Sequence, residues 1–374
     1  MVTATLAACG SDEPAPPVSE PIRIDATAPA TTPPSCEATL SPTSDAERKL
    51  AAALCREVQS LAVVGAQVAI VVDGEVKLDW AVGRRCADED GAMLPTTRQR
   101  IGSVTKLLTA TALQRRHEQR AIDLEATLAS LVPRVLPQAD RVTMRQLLTH
   151  TSGLPDVPPR ADLVGMDDAG RIVALYGDGP TTTPGETFAY SNSGYELAAL
   201  VAAAVGVDVI ADVQGELTDT DAGFEPRDDD ACGHLGDAWP YRTRDDVALF
   251  AFGAAYTRPA GGVLASARDL AVVLSRRAPD AIATPHVPTE AADEVYAAGL
   301  YGQPGQPGQP GQPDEGGGRV WFHPGHTGDF SADVWWIPGA NVAVAVIANG
   351  SRPLRATGLM AVQLWGGVAP TPRR

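Results

Sequence analysis

Ser103 and Lys106 lie three residues apart in Ile101-Gly102-Ser103-Val104-Thr105-Lys106-Leu107-Leu108 and pair a hydroxyl with an amine. The chain uses arginine almost wherever it needs a positive charge: of its 30 basic residues only Lys49, Lys77 and Lys106 are lysine. A buried amine can shift its pKa and exchange a proton, whereas a guanidinium stays charged, so a retained lysine points to proton chemistry. At i and i+3 near the start of a predicted helix the two side chains share a face. A serine there also carries an N–H aimed outward, suited to stabilising an oxyanion. The hydroxyl needs a base to become a nucleophile, and the adjacent amine can relay or polarise that proton. The plainer reading is an N-cap serine with a solvent lysine one turn on, and a bare Ser-x-x-Lys usually means that.

Two further stretches have chemical content. In Tyr190-Ser191-Asn192 an extended turn places Tyr190 and Asn192 on one side, where a phenol can act as base beside a cation and an amide can position substrate. On its own the stretch reads as a helix-capping turn. In His326-Thr327-Gly328, just before a predicted hairpin, a strand edge can pair with substrate backbone, glycine allows close approach, and His326 can orient or protonate groups in the cleft. His323 and His326 lack a nearby third ligand, so no metal and no cofactor are expected.

The elements that must position these residues can be read along the chain. Residues 45–60 carry apolar groups at helical spacing after a Ser/Asp start and predict an amphipathic helix. Gln67 to Val72 and Glu75 to Val82 predict strands joined by Asp73-Gly74, a two-residue hairpin signal. From Thr105 to Ala204 the pattern is mainly helical. Phe330 to Ile337 and Asn341 to Ala348 predict a second hairpin around Pro338-Gly339-Ala340, and Leu354 to Leu364 a closing helix. Hairpins at both ends of a helical middle predict an α+β fold: one antiparallel sheet built from both termini and flanked by helices, with a mainly helical subdomain inserted. Three separate domains are the alternative, but an isolated hairpin is barely stable. The GQP tripeptide repeat of residues 302–313, within a low-complexity stretch of residues 302–318, reads as an expanded hairpin loop without chemistry.

Composition narrows the partners. The formal net charge of −16 disfavours nucleic acid, which needs a basic face. No run of eighteen apolar residues is present, so no membrane-spanning helix is expected. Residues 1–9 read as the end of a secretory signal with a lipobox, Leu6-Ala7-Ala8-Cys9, though without a basic n-region. Cys9 would then be lipidated, the chain exported to the cell envelope, and membrane contact limited to that anchor. Residues 10–44 have the Pro/Ala/Thr-rich composition of a tether, leaving residues 45–370 as the folded domain. Cys36, Cys55, Cys86 and Cys232 make an even set suited to two disulfides. Spacing does not assign the pairing; Cys36 with Cys55 and Cys86 with Cys232 is the favoured arrangement, against four free buried thiols.

In order and wording, these segments resemble the serine DD-carboxypeptidase and class C β-lactamase family. Besides the three motifs, LLTHTSGLPD (147–156), PGETFAYSNSGYELAALV (184–201), RPAGGVLASARDLA (258–271) and HPGHTGDFSADVWWIPGANVAVAVIANG (323–350) look like family signature segments. The resemblance spans roughly residues 45–366 and implies the β-lactamase/DD-peptidase-like fold. It implies Ser103 as acylating nucleophile and Lys106 with Tyr190 as the pair that activates it, the lysine favouring a phenolate. It implies Asn192 on the substrate amide, His326, Thr327 and Gly328 lining the opposite wall, and the N–H groups of Ser103 and Asp329 as oxyanion hole. His150 and the rest of its THTSG segment match a stretch that looks structural. A carboxylate-binding arginine is expected in peptidase members, with Arg319 and Arg352 as candidates. His-Thr-Gly in place of Lys-Thr-Gly moves the expectation away from antibiotic hydrolysis. The short acidic segment after Val205 leaves specificity open. The implied substrates are small molecules or peptides: D-alanyl cell-wall peptides first, then esters or other D-peptides, then β-lactams. A non-catalytic penicillin-binding protein is the contrasting class.

Overall fold

A computed structural model describes residues 36, 40–86, 91–157, 163, 165–224, 258–304, 319–327 and 330–368. Cys9, Cys232, Gly328 and Asp329 lie outside the described residues, as do most of the GQP repeat and the acidic segment beyond Phe224.

Helix α1, Asp45–Ser60, starts where Ser44 caps the N–H of Glu47. Strands β1, Gly65–Val72, and β2, Glu75–Gly83, follow. Asp73 and Gly74 both take positive φ, +53° and +78°, the conformation a tight hairpin turn of matching twist demands. After the short strand β3, Gln99–Arg100, comes the helical middle: α2, Thr105–Glu118; α3, Leu128–Leu131; α4, Met144–Leu148; α5, Asp168–Tyr176; α6, Asn192–Ala204; and α7, Val209–Glu216. The one-turn α8, Arg258–Gly261, the short strand β4, Leu264–Ala265, and α9, Ala267–Ile282, lead back to the sheet. Strands β5, Val287–Pro288, β6, Val295–Ala297, β7, Leu300–Pro304, β8, Arg319–Thr327, β9, Phe330–Ile337, and β10, Val342–Ala348, precede α10, Arg355–Gly366.

The sheet runs β2-β1-β10-β9-β8-β7-β6-β5, with every pair antiparallel. The N-terminal hairpin therefore docks through β1 on β10, and the helical middle is inserted into a sheet closed by both ends of the domain. The GQP stretch joins β7 to β8, as expected of a hairpin connection. Its first copy is not loop, however: Gly302, Gln303 and Pro304 pair with Trp321, Val320 and Arg319. The Trp321 ring crowds Gly302 so closely that a side chain there would strike it.

Both faces of the sheet are covered, and strand alternation sorts the residues. Ala69, Val71, Ala332, Val334, Trp336, Ala345 and Ile347 join α2 and α9 in one core. Val68, Ile70, Trp335, Ile337, Val344 and Val346 join α1 and α10 in another. Gln67 of β1 is fully buried: its amide donates to Leu94 O and Thr97 O, and its Oε1 accepts from Gln99 Nε2 and the Ala267 N–H. One side chain thereby ties β1 to β3 and to the start of α9.

Helix α10 has no capping side chain of its own. The Glu57 carboxylate of α1 accepts from the N–H groups of Ala356 and Thr357 and from the Thr357 hydroxyl. Close by, Asp333 of β9 is buried, with one oxygen unpartnered among the described residues. Burial pushes its carboxyl up to about 6, against the pull of Arg355. The folded pKa is raised, so this group's stabilising contribution is complete below the unfolded value and is lost as pH rises through about 6. Asp333→Asn is therefore expected to raise thermal stability at pH 8, by no more than about 3 kcal/mol, and to leave it unchanged near pH 4. An equal gain at both pH values would contradict this reading.

Cys36 and Cys55 form a disulfide that pins the segment before α1 to that helix, as favoured from the sequence. Cys86 is also disulfide-bonded. Among the described residues, no helix is long and apolar enough to cross a membrane.

Candidate active site

A 3-10 turn, Gly102–Val104, carries Ser103 directly into α2, so Lys106 falls in the first turn of the helix. The turn is held against β8 by backbone contact: a Cβ on Gly325 would lie 2.0 Å from Ile101 O, and one on Gly102 2.7 Å from the His326 nitrogen. Gly102 also has φ +52°. Both positions therefore need glycine for the Ser103 turn and the His-Thr strand to touch.

Lys106 is completely buried, yet every N–H direction of its amine is used. Its Nζ lies 3.2 Å from Ser103 Oγ, 2.7 Å from Asn192 Oδ1 and 2.8 Å from Ala260 O. It sits over the Tyr190 ring, 4.9 Å from the centroid, and 5.5 Å from that of Tyr195. Burial brings its pKa down to about 7, with Glu196 and Asp156 opposing the fall. Two of its three partners are carbonyl oxygens, which only accept. A neutral amine has two N–H groups and one lone pair. It keeps all three contacts only by donating to Asn192 and Ala260 while accepting the Ser103 proton. Neutral Lys106 can thus accept a hydrogen bond from Ser103, and the charged amine can donate one to it.

Tyr190 departs from the expectation of a phenolate. Burial pushes its hydroxyl well above the usual tyrosine range, with the nearby Ser103 hydroxyl opposing the rise. The lysine lies over the ring face, and among the described residues the buried phenol oxygen completes no hydrogen bond of good geometry. At neutral pH the phenol therefore keeps its proton, while the Lys106 amine stands near its midpoint.

The Tyr-Ser-Asn turn is braced from beneath. Ser191, not Asn192, caps α6, accepting from the Gly194 N–H, and Asn192 begins the helix with its side chain directed to Lys106. Asp156 accepts from the hydroxyls of Ser191 and Ser193 and from the Ser193 N–H. His150, left out of the site on sequence, holds the three residues before the helix. Its carbonyl accepts from the Ala189 N–H, its Nδ1 accepts from the Ser191 N–H, and its ring stacks at 4.4 Å on Tyr190. With Nδ1 accepting, Nε2 carries the proton and donates to the Tyr296 hydroxyl at 3.2 Å. Burial, with Lys106 and His323 adding to it, holds His150 neutral, well below the usual histidine range. Its φ of +58° is strained for a residue with a side chain, which fits a position set by the site.

On the opposite wall His326 is exposed and its Nε2–H donates to Ser351 O at 3.1 Å. The Thr327 hydroxyl is buried without a hydrogen-bond partner among the described residues. The two candidate arginines separate. Arg319 donates to Asp293 O and Gly302 O at the far end of β8, about 23 Å along the strand from His326. It is not placed to meet a substrate carboxylate. Arg352 follows Ser351 on the loop beside β8 and β9, where its carbonyl accepts from the Ser331 hydroxyl. Among the described residues no cluster of His, Cys, Asp and Glu could hold a metal ion.

The Beta-lactamase family model matches residues 50–365. The chain belongs to the Beta-lactamase family. Membership accounts for the sheet order and for the insertion of the helical middle. Among solved structures, a class C β-lactamase in complex with cefoxitin is similar with a TM-score of 0.70 and 16% identity, covering 86% of this chain and 98% of that one. SurE with D-Leu is similar with a TM-score of 0.65 and 24% identity, covering 85% and 75%. The octameric penicillin-binding protein homologue from Pyrococcus abyssi is similar with a TM-score of 0.65 and 24% identity, covering 86% and 77%. At these identities the likeness shows the fold. Protein flp of Staphylococcus aureus (strain MW2) is 30% identical over 168 residues, 42% of this chain. The chain spans about a third of that relative's length.

Proposed function

We propose that the chain is a serine hydrolase acting through an acyl-enzyme on Ser103, with D-alanyl peptides of the cell wall as substrate class. The observation that carries the reading is the Lys106 amine, buried, near neutrality at about pH 7 and 3.2 Å from the serine hydroxyl. In the proposed reaction Ser103 Oγ attacks the carbonyl carbon while its proton moves to Lys106 Nζ. The C–N bond of the tetrahedral intermediate then breaks, and the departing amine takes a proton from the Lys106–Tyr190 pair. Water hydrolyses the resulting ester by the reverse proton path. Asn192 orients the amide, and the unpartnered Thr327 hydroxyl supplies a hydrogen bond on the other wall.

The His-Thr strand in place of Lys-Thr and the similarity to a protein crystallised with D-Leu support D-configured substrates. Small esters are the second reading, favoured by the exposure of His326 and Asn192 to the cleft. Turnover of a D-Ala-D-Ala peptide, its L-Ala-L-Ala counterpart, a p-nitrophenyl ester and a cephalosporin separates these readings. The expected order places the D-peptide first; preference for the L-peptide or the cephalosporin would overturn the assignment.

A further inference from the structure

Glu196 is the buried titratable group that the mechanism above leaves unused; burial pushes its carboxyl well above the usual range, and Lys106 opposes the rise. It lies on α6 four residues after Asn192 and therefore on the same helix face, one turn deeper. Its side chain is buried, and Oε1 has no hydrogen-bond partner among the described residues. The carboxyl accepts from the Ala260 N–H, while the Ala260 carbonyl accepts from Lys106. One residue of α8, packed between α2 and α6, thus contacts the amine through its oxygen and the carboxyl through its nitrogen. A carboxyl that merely filled space would have its second oxygen paired or replaced by an apolar group, because an orphaned buried acceptor is costly.

We propose that Glu196 is a positioning residue for acyl transfer: a buried counter-group, coupled to Lys106 across Ala260, that stabilises the ammonium formed when Lys106 takes the Ser103 proton. Glu196 exchanges no proton with the substrate. The serine's proton passes to Lys106 and onward to the leaving group, while the carboxyl only offsets the cost of a cation in a dry site. After burial itself, Glu196 is the leading influence on Lys106, and Lys106 the leading opposition to the rise of the Glu196 carboxyl, so the two titrate as a pair. Other groups bear on them. Asp156 of the loop before α5 acts on Lys106, and Lys106 in turn helps hold His150, after α4, neutral. Arg171 of α5 acts on Glu196 but is ion-paired to Asp168. Tyr190 and Tyr195 present ring faces to the amine.

The inference rests on the acyl-enzyme reading, and one experiment separates the two. The rate of labelling by a fluorophosphonate probe is followed from pH 5 to 9 in the wild type, Glu196→Gln and Glu196→Asp. Without the carboxylate the ammonium loses its partner, so the acid limb of Glu196→Gln is expected at least about half a pH unit lower, with a slower plateau. Glu196→Asp, which keeps a shortened carboxylate, is expected between the two. The limb's position does not depend on how much protein folds, so a purely structural role would lower yield without moving it. An unshifted limb in both variants overturns the inference and leaves the acyl-enzyme reading standing. Absence of wild-type labelling at Ser103 overturns both.

Discussion

Lys106→Arg and Lys106→Met are both expected to slow acylation of Ser103 by about a thousandfold, the range set by removal of a positioned general base. The two substitutions fail for different reasons. Arginine keeps a positive charge but cannot accept the serine proton, and its larger fork enters a site where Lys106 has no exposed surface. It is therefore expected to cost stability as well. Methionine keeps nearly the same length, suits the buried surroundings and leaves Asn192 Oδ1 and Ala260 O without a donor. Its far-ultraviolet spectrum should remain that of the wild type while the labelling rate collapses. A rate for Lys106→Arg within tenfold of the wild type would show that Lys106 contributes charge and not proton transfer.

The second large effect is steric. Gly325→Ala would place a methyl group 2.0 Å from Ile101 O and 3.1 Å from a Val104 methyl, and the first of these is backbone. No side-chain rotation relieves that contact, so β8 and the Ser103 turn must part. Overpacking of this kind costs about 1–3 kcal/mol or more, and a displacement near 1 Å at the reacting atoms costs about a hundredfold in rate. Both losses are expected together, read as a lower melting temperature and a slower labelling rate. Wild-type kinetics in Gly325→Ala would mean that the strand's distance from the nucleophile is not critical. Gly74→Ala makes a useful contrast: a side chain there meets no atom within 4 Å, so only the positive-φ cost is expected.

These two positions also mark what could be read from the sequence. Asp73-Gly74 announced the first hairpin because turn chemistry is local, and α1 and β9 have the predicted bounds, Asp45–Ser60 and Phe330–Ile337. The sheet built from both termini followed from hairpins at each end of a helical middle. The meeting of Ser103 and Lys106 was legible because i and i+3 in one turn must face the same way. Asn192 joined them only through resemblance, since 86 residues separate it from Lys106. Other contributors gave no local signal. Ala260 acts through its carbonyl, which any residue would have supplied, and Glu196 looks like an ordinary helical glutamate until its burial is seen. His150 sat in a segment judged structural, and its backbone conformation and stacking on Tyr190 are tertiary facts. Pairing across the sheet drew the first GQP copy into β7, where composition had suggested loop. The phenolate expected on Tyr190 failed for a similar reason: burial dominates its titration, and burial is not written in a motif.

The central claim, that Lys106 makes Ser103 a nucleophile, is tested most directly by intact-protein mass spectrometry after incubation with a fluorophosphonate, followed by peptide mapping. A single adduct is expected on the peptide carrying Ser103, formed with an acid limb near pH 7 and absent in Ser103→Ala. An adduct on any other residue, or equal labelling of Ser103→Ala, would contradict the account.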